Sequence, residues 1–406
     1  MQNKLVLTEV FTNALPVLEV LEQAGFEAYF VGGSVRDAML GKDVNDVDIA
    51  TSAFPNEIQD LFKKTIDVGI EHGTVMVLWE KETYEITTFR TESTYQDFRR
   101  PDSVTFVRSL AEDLKRRDFT INALAMDKDG YITDLFDGMD DLNQQVIRAV
   151  GIPDERFGED ALRMMRATRF SAQLGFDIEE ETVLALKKNT ALLEHIAIER
   201  IQVEFIKMCL GQFKQKGLAY FIESNLYEFC PGLKKEALRK FSAILPSLDN
   251  ERQVWTSYLL LDEYDTNRLN AFMKSWKLSN KLIQQVMSLF RSVKFRMESS
   301  ADVLYIYHLG KELALETENI LSYLQYPADS EAVLSIYESL PIYSKQDLAV
   351  KGKDLLELTS AKAGKWLGDA LNHIEEAVVL GKLNNSKQEI ITWAKQHTLI
   401  PETDKH

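Results

Sequence analysis

The stretch GGSVRDAMLGKDVNDVDIAT, residues 32–51, sets a paired glycine and an arginine ahead of two aspartates separated by one valine. With the preceding YFV it reads as strand, tight turn and helix, and DVDIA reads as a second strand. Side chains two apart on a strand share a face, so Asp46 and Asp48 reach one point in space together. Two carboxylates held that close repel unless a cation lies between them. Their hard oxygens suit Mg²⁺, which binds one or two carboxylates together with substrate phosphates. A pair of such ions roughly 3.5 to 4 Å apart serves an in-line displacement at phosphorus. The glycines let backbone N–H groups approach a phosphate, and Arg36 adds a planar fork for its oxygens. Each piece has an ordinary counterpart, since Gly-Gly also makes a corner and Asp-Val-Asp a surface turn. Their combination at this spacing is far rarer.

Around this stretch strands and helices alternate. EAYFVGG, DVDIA, GTVMVLW, YEITTFR and SVTFV are short β-rich runs, while LPVLEVLEQAG and NEIQDLFKK have helical apolar spacing. From Glu159 onward DALRMMRATRFSAQLG, ETVLALKKNTALLEHI and ERIQVEFIKMCLGQF recur at helical period, and the strand signal stops. The expected fold is α+β: a head with a small mixed sheet and flanking helices, then an all-α remainder. The expected division is a head over 1–150, a neck over 151–210, a body over 211–300 and a tail over 301–406. The last boundary falls at MESSADV, where the composition turns from basic to acidic.

Composition narrows the classes further. A chain of 406 residues is long for one core, and its two cysteines, Cys209 and Cys230, fit a reducing compartment better than a disulfide framework. MQNKLVLTEV holds no apolar run suited to a signal peptide, and no segment reaches the roughly 18 apolar residues of a membrane span. A soluble cytoplasmic protein is expected. The net charge of −16 opposes sequence-blind coating of nucleic acid. A local basic face remains open: Arg268, Lys274, Lys277, Lys281, Arg291, Lys294 and Arg296 follow one another without an acidic residue between them. That run is a candidate polyanion contact, with a solvated helical face as the equal alternative. The six histidines are scattered without Cys/His spacing for zinc, and His72 reads as a strand-end residue.

The opening stretch resembles the signature of the nucleotidyltransferase superfamily, in the form found in class II tRNA nucleotidyltransferases (CCA-adding enzymes) and bacterial poly(A) polymerases. RRDFTINALA (116–125), EDALRMMRATRF (159–170) and ERIQVEF (199–205) resemble later motifs of that family in the same order. A looser likeness to the family's helical tail runs through KGKDLLELTSAKAGKWLGDALNHIEEAVVLGKLNN (351–385). One departure is DLFDGMDDL (134–142), where Asp137 replaces the first of a usual glycine pair and reduces backbone freedom.

The resemblance implies that Asp46 and Asp48 are catalytic and hold Mg²⁺, that Gly33 and Arg36 cradle a triphosphate, and that Arg117 orients it. Asp118 or Asn122 would bond the ribose 2′-OH, with a capped helix start and a solvated Asn122 as the plain alternative. Asp160 and Arg163 would read the incoming base, and Arg166 would contact the nucleotide. Arg169 has two readings, a nucleotide contact or a structural pair with Glu159 or Asp177. Glu85 is either a third carboxylate or a surface strand residue. The loop TESTYQDFRRPD (91–102), with Asp97, Arg99 and Arg100, would adjust the base reader between C and A.

Base selection by an Asp/Arg pair has a physical reason. Cytosine and adenine both place an amine donor beside a ring nitrogen that only accepts, whereas uracil and guanine show the reverse. Ionised Asp only accepts and Arg only donates, so the pair matches C and A and is left unpaired by U or G. Each such mismatch costs roughly 1 to 3 kcal/mol. The implied activity is template-independent addition or repair of the 3′-terminal CCA of tRNA from CTP and ATP. The implied partners are the tRNA acceptor end and the two nucleotides, with neither DNA nor membrane, and a homodimer through the acidic tail is open. The rivals are a poly(A) polymerase or a CC-only or A-only enzyme on this scaffold, and a catalytically silent RNA-binding protein.

Overall fold

In the computed structural model, which describes residues 4–69, 73–92, 104–245 and 248–401, the short apolar runs of the first third meet in one seven-stranded mixed sheet. The strands are β1 (Ala28–Val31), β2 (Asp48–Thr51), β3 (Thr65–Gly69), β4 (Thr74–Trp79), β5 (Glu82–Thr88), β6 (Arg90–Glu92), β7 (Val104–Phe106), β8 (Leu124–Met126) and β9 (Ile132–Asp134). The sheet order is β3-β4-β5-β2-β1-β8-β9, and β6 pairs separately with β7. Only the β2–β5 pairing is parallel among the seven; it sets Asp48 beside Glu85.

Helix α1 (Glu9–Gln23) buries Phe11, Ala14, Val17, Leu18 and Leu21, the three-and-four spacing of an amphipathic helix. Phe11 meets Phe30 of β1 edge-on at 5.0 Å. β1 leaves the sheet through Gly32, whose φ of +73° suits glycine, and enters α2 (Gly33–Met39). α3 (Pro55–Leu61) starts on a proline, which needs no N–H in the first turn.

The helices that follow are α4 (Leu110–Lys115), α5 (Gly138–Gln144), α6 (Pro153–Glu159), α7 (Leu162–Leu174), α8 (Glu180–Asn189), α9 (Ile198–Cys209), α10 (Lys214–Glu223) and α11 (Lys235–Ala243). α7 packs against α9 and α10. Its approach to α10 is backbone-close: a Cβ at Gly217 would stand 2.4 Å from the Thr168 carbonyl oxygen. The strand signal does not stop where expected, because Val146–Ile147 pairs in parallel with Asp177–Ile178 after α7 ends at Gly175. A two-residue ladder is too short to leave a period in sequence.

The chain falls into two compact units, Met1–Ala243 with Ala271–Leu278, and Ile244–Asn270 with Ser279–His406. In the first, the returning Trp276 packs on Phe205 of α9 at 5.3 Å and donates to the Pro231 carbonyl at 2.7 Å. The second is helical and buries Leu355, Ile374, Val378, Ile390 and Ala394 together. One member of the basic run belongs to its interior framework: Arg296 grips the buried Glu318 through Nε at 2.8 Å and Nη2 at 3.1 Å, so it is no surface cation. Lys281, Arg291 and Lys294 on the same helix, Asn280–Glu298, are exposed. Cys209 and Cys230 are both buried and unlinked. Among the described residues no helix is long and apolar enough to cross a membrane.

Candidate active site

Within the first unit a cavity of about 830 Å³ opens beside β2, and its walls carry eight arginines against three aspartates. In a chain of net charge −16, that local reversal of sign marks a site for an anion. The cations are Arg36, Arg90, Arg116, Arg117, Arg163, Arg166, Arg169 and Arg200; the anions are Asp48, Asp118 and Asp160.

The acidic edge is built by strand alternation. β2 begins at Asp48, so Asp46 lies in the approach to the strand and not within it. The alternation already runs there, with Val47 buried at 6 % between two exposed aspartates. Glu85 is exposed on β5 directly opposite Asp48, a surface strand residue whose carboxylate neighbours that edge. Asp48 is open to water yet flanked by the cavity walls. This desolvation, then Glu85, then Asp46, raise its pKa against the opposing pull of Arg117. Among the described residues no three His, Cys, Asp or Glu side chains form a ready cage for a metal. The hard oxygens of Asp48 and its neighbour Asp46 are of the type that holds a cation by one or two carboxylates, with water and phosphate completing its shell.

Beside that edge the Gly-Gly turn brings backbone between acid and base. A Cβ at Gly32 would lie 3.1 Å from Arg117 Nη1 and 3.9 Å from Asp48 Oδ2, which fits the glycine there. Arg36, nearly buried, clasps Asp37 through Nε at 2.9 Å and Nη2 at 2.8 Å, and its Nη1 donates to Asn122 Oδ1 at 2.6 Å. Gly33 backs onto that guanidinium. Arg117 donates to Asp113 at 3.1 Å, and the same buried carboxylate takes Arg116 at 2.7 Å. Arg117 Nε and Arg200 Nη1 are buried without an acceptor in the protein. Buried donors of this kind are normally satisfied, and an anion in the cavity would supply the missing acceptors.

Asp118 is the pivot of the inner wall. Its Oδ1 accepts from Phe119 N at 2.9 Å and Asn122 Nδ2 at 3.0 Å, and its Oδ2 from Arg166 Nε at 2.7 Å. Burial alone would raise its pKa; Arg166 and the hydrogen bonds outweigh that and hold it at about 2. Asn122 is 5 % exposed in the single turn Thr120–Asn122, so the alternative of a solvated Asn122 beside a capped α-helix does not hold.

α7 supplies the far wall. Asp160, just ahead of it, accepts from Leu162 N at 3.0 Å and from Arg200 at 2.9 Å. Arg163 pairs with Glu159 at 2.6 Å and donates to the Arg116 carbonyl at 2.8 Å. Arg169 is paired with Glu204 and donates to Gln173 at 2.6 Å. Neither partner foreseen for Arg169 is taken: Glu159 holds Arg156 and Arg163, and Asp177 holds Lys216. The cavity thus brings together Gly33, Arg36, Asp48, Arg117, Asp160, Arg163, Arg166 and Arg169. His72, Asp97, Arg99 and Arg100 lie outside the described residues.

The roles of Arg200 and Glu204 escape a sequence reading. One turn apart on α9, they hold an acid ahead of α7 and a base within it. ERIQVEF shows only an i,i+4 pair of opposite charges, which reads as an internal ion pair of one helix.

A small mixed sheet with a Gly-Gly turn, an acidic strand edge and an arginine-rich helical wall defines a nucleotidyltransferase head. Matches to known families follow the same order: the poly A polymerase head domain over 28–148, a probable RNA and SrmB-binding site of polymerase A over 175–237, and a putative tRNA nucleotidyltransferase domain 2 over 247–394. The CCA-adding enzyme of Enterococcus faecalis (strain ATCC 700802 / V583) is 52% identical over 389 residues, 95% of this chain and 96% of the relative. The solved structure of the Bacillus stearothermophilus CCA-adding enzyme in complex with CTP superposes with a TM-score of 0.87 at 40% identity, covering 97% of this chain and 98% of that one. A tRNA nucleotidyltransferase complexed with a primer tRNA and an incoming ATP analog matches with a TM-score of 0.58 at 25% identity, covering 79% and 97%. The chain belongs to the CCA-adding enzyme family.

Proposed function

We propose that this chain adds or repairs the 3′-terminal CCA of tRNA from CTP and ATP, releasing pyrophosphate, in the cytoplasm. The observation that carries the reading is the arginine-rich cavity of about 830 Å³ lying against the Asp48 edge, a cationic site beside hard oxygen ligands. Asp46 and Asp48 hold Mg²⁺, with Glu85 beside them. Bound there as a pair, the ions would supply Lewis-acid activation of the tRNA 3′-hydroxyl on one side and charge neutralisation of the departing pyrophosphate on the other.

The chain's own residues do the rest. The Gly33/Arg36 turn and Arg117 hold and orient the triphosphate, Arg117 with its spare buried donor. Asp160 and Arg163 select C and A, and Arg166 and Arg169 line the nucleotide. The exposed Lys281, Arg291 and Lys294 face the phosphates of the acceptor arm, a contact that salt weakens. In functional terms residues 1–150 are the catalytic head, 151–210 the base-reading neck, and 211–300 and 301–406 the tRNA-gripping body and tail.

The test is incubation of purified protein with Mg²⁺, labelled CTP or ATP, and tRNA ending before CCA. Two C additions followed by one A are expected, and Asp46→Ala and Asp48→Ala each abolish incorporation with tRNA affinity largely kept. Long A-only tails overturn the reading in favour of a poly(A) polymerase. Full turnover in both aspartate variants removes the metal assignment. Asp160→Ala is expected to raise UTP and GTP use relative to CTP and ATP, and unchanged selectivity removes the base-reading role.

A further inference from the structure

Asn122 stands where two walls of the cavity meet. Its Oδ1 accepts from Arg36 Nη1 at 2.6 Å, and its Nδ2 donates to Asp118 Oδ1 at 3.0 Å. Asp118 Oδ2 accepts from Arg166 Nε at 2.7 Å. These links join residues 86, 4 and 48 positions apart, and all four side chains line the cavity. Arg36 lies on α2 behind the Gly-Gly turn and Arg166 on α7, so the chain of bonds ties the turn of the head to the helical wall. The Phe170 ring lies under both guanidiniums, 5.1 Å from Arg36 and 5.3 Å from Arg166.

The chemistry of the middle position is restrictive. Arginine only donates and an ionised carboxylate only accepts, so the residue between them must accept on one side and donate on the other. An amide of this length does both. An aspartate of the same shape would set acceptor against acceptor at Asp118, and an alanine would strip Arg36 and Asp118 of a partner each. One lone pair and one N–H of the Asn122 amide are held by protein groups, and at 5 % exposure the side chain has little surface to offer a sugar.

We propose that Asn122 is a positioning residue for nucleotide transfer, setting the spacing between Arg36 at the phosphate end and Arg166 at the base end of the nucleotide, and not a ribose contact. This rests on the reading that the nucleotide lies along this wall. Asn122→Ala and Asn122→Asp are compared with the unsubstituted protein for kcat and KM with CTP and dCTP on tRNA ending before CCA. A shift of reacting groups by about 1 Å costs on the order of 100-fold, so kcat with CTP is expected to fall by about that factor in both variants. KM for CTP is expected to stay within about threefold in Asn122→Ala, where the charges that bind nucleotide remain. The CTP/dCTP preference is expected to stay as it was. Loss of that preference identifies a ribose contact and overturns the proposal, as does an Asn122→Asp protein with unreduced kcat. If both variants lose cooperative melting, Arg36→Lys and Arg166→Lys, singly and together, decide. Non-multiplicative effects on kcat support the relay, and multiplicative ones overturn it. Failure of the functional reading is separate: it shows as absent CMP incorporation by the unsubstituted protein.

Discussion

At Asp48 burial by the cavity walls, Glu85 and Asp46 all favour the protonated carboxyl, and only Arg117 opposes them. A carboxyl whose pKa is raised on folding binds its proton more tightly in the folded chain. Its stabilising contribution is therefore whole below the ordinary carboxylate range and is lost as pH rises through the raised value. Replacing Glu85 removes the largest neighbouring charge, so Glu85→Gln is expected to move the Asp48 midpoint toward lower pH, followed by carbon-detected NMR titration of the Asp48 carboxyl. An unmoved midpoint would show that Glu85 does not act on Asp48. Saturating Mg²⁺ is expected to lower the same midpoint in the unsubstituted protein, since a bound cation favours the ionised form. The Asp46/Asp48 pair was legible because a period of two is local. That Glu85 stands opposite Asp48 was not legible, because β2 and β5 meet in a register that no short stretch encodes.

Among the elements, α5 shows how a departure from a family pattern is accommodated. Asp137 caps it at φ +58°, ψ 28°, a left-handed conformation that aspartate tolerates better than most residues. The Asp134 carboxylate fastens the turn by accepting from the N–H groups of Phe136, Gly138 and Met139. The second glycine has no such latitude: a Cβ at Gly138 would stand 2.3 Å from the Thr120 carbonyl oxygen. Gly138→Ala is expected to lose about 1 to 3 kcal/mol through overpacking, whereas Asp137→Gly stays within about 1 kcal/mol, both read by denaturant unfolding. Equal effects at the two positions would contradict this assignment. The long helices α1, α7 and α9 announce themselves by apolar period. β8 and β9 do not, for three residues leave no room for alternation, and edge strand β3 exposes Ile66 where an apolar pattern would bury it.

Over the whole molecule the charges are segregated: an acidic chain keeps an arginine-rich interior wall in its first unit, and that wall is held by buried carboxylates. Asp113 is held below the ordinary range by Arg116 and Arg117 despite burial, and Asp118 falls from 3.8 to about 2. A depressed carboxylate stabilises the fold above its unfolded pKa and loses that contribution as pH falls through the folded value. Acid unfolding of this unit is therefore expected to steepen between about pH 4 and pH 2. Asp118→Asn is expected to lose about 2 kcal/mol at neutral pH and to flatten that acid limb, measured by denaturant unfolding across the pH range. An unchanged limb would mean that the Asp118–Arg166 pair does not carry it. By itself the sequence determined the α+β head, the neighbouring aspartates, the Gly-Gly turn and the order of the basic and acidic motifs, since each is written in spacings of a few residues. Only the tertiary structure decided which charge answers which: Arg169 with Glu204, Asp160 with Arg200, and Arg36 through Asn122 and Asp118 to Arg166. Those partners lie tens of residues apart, and a buried charge takes whichever counter-charge the packing of α7, α9 and the sheet brings within reach.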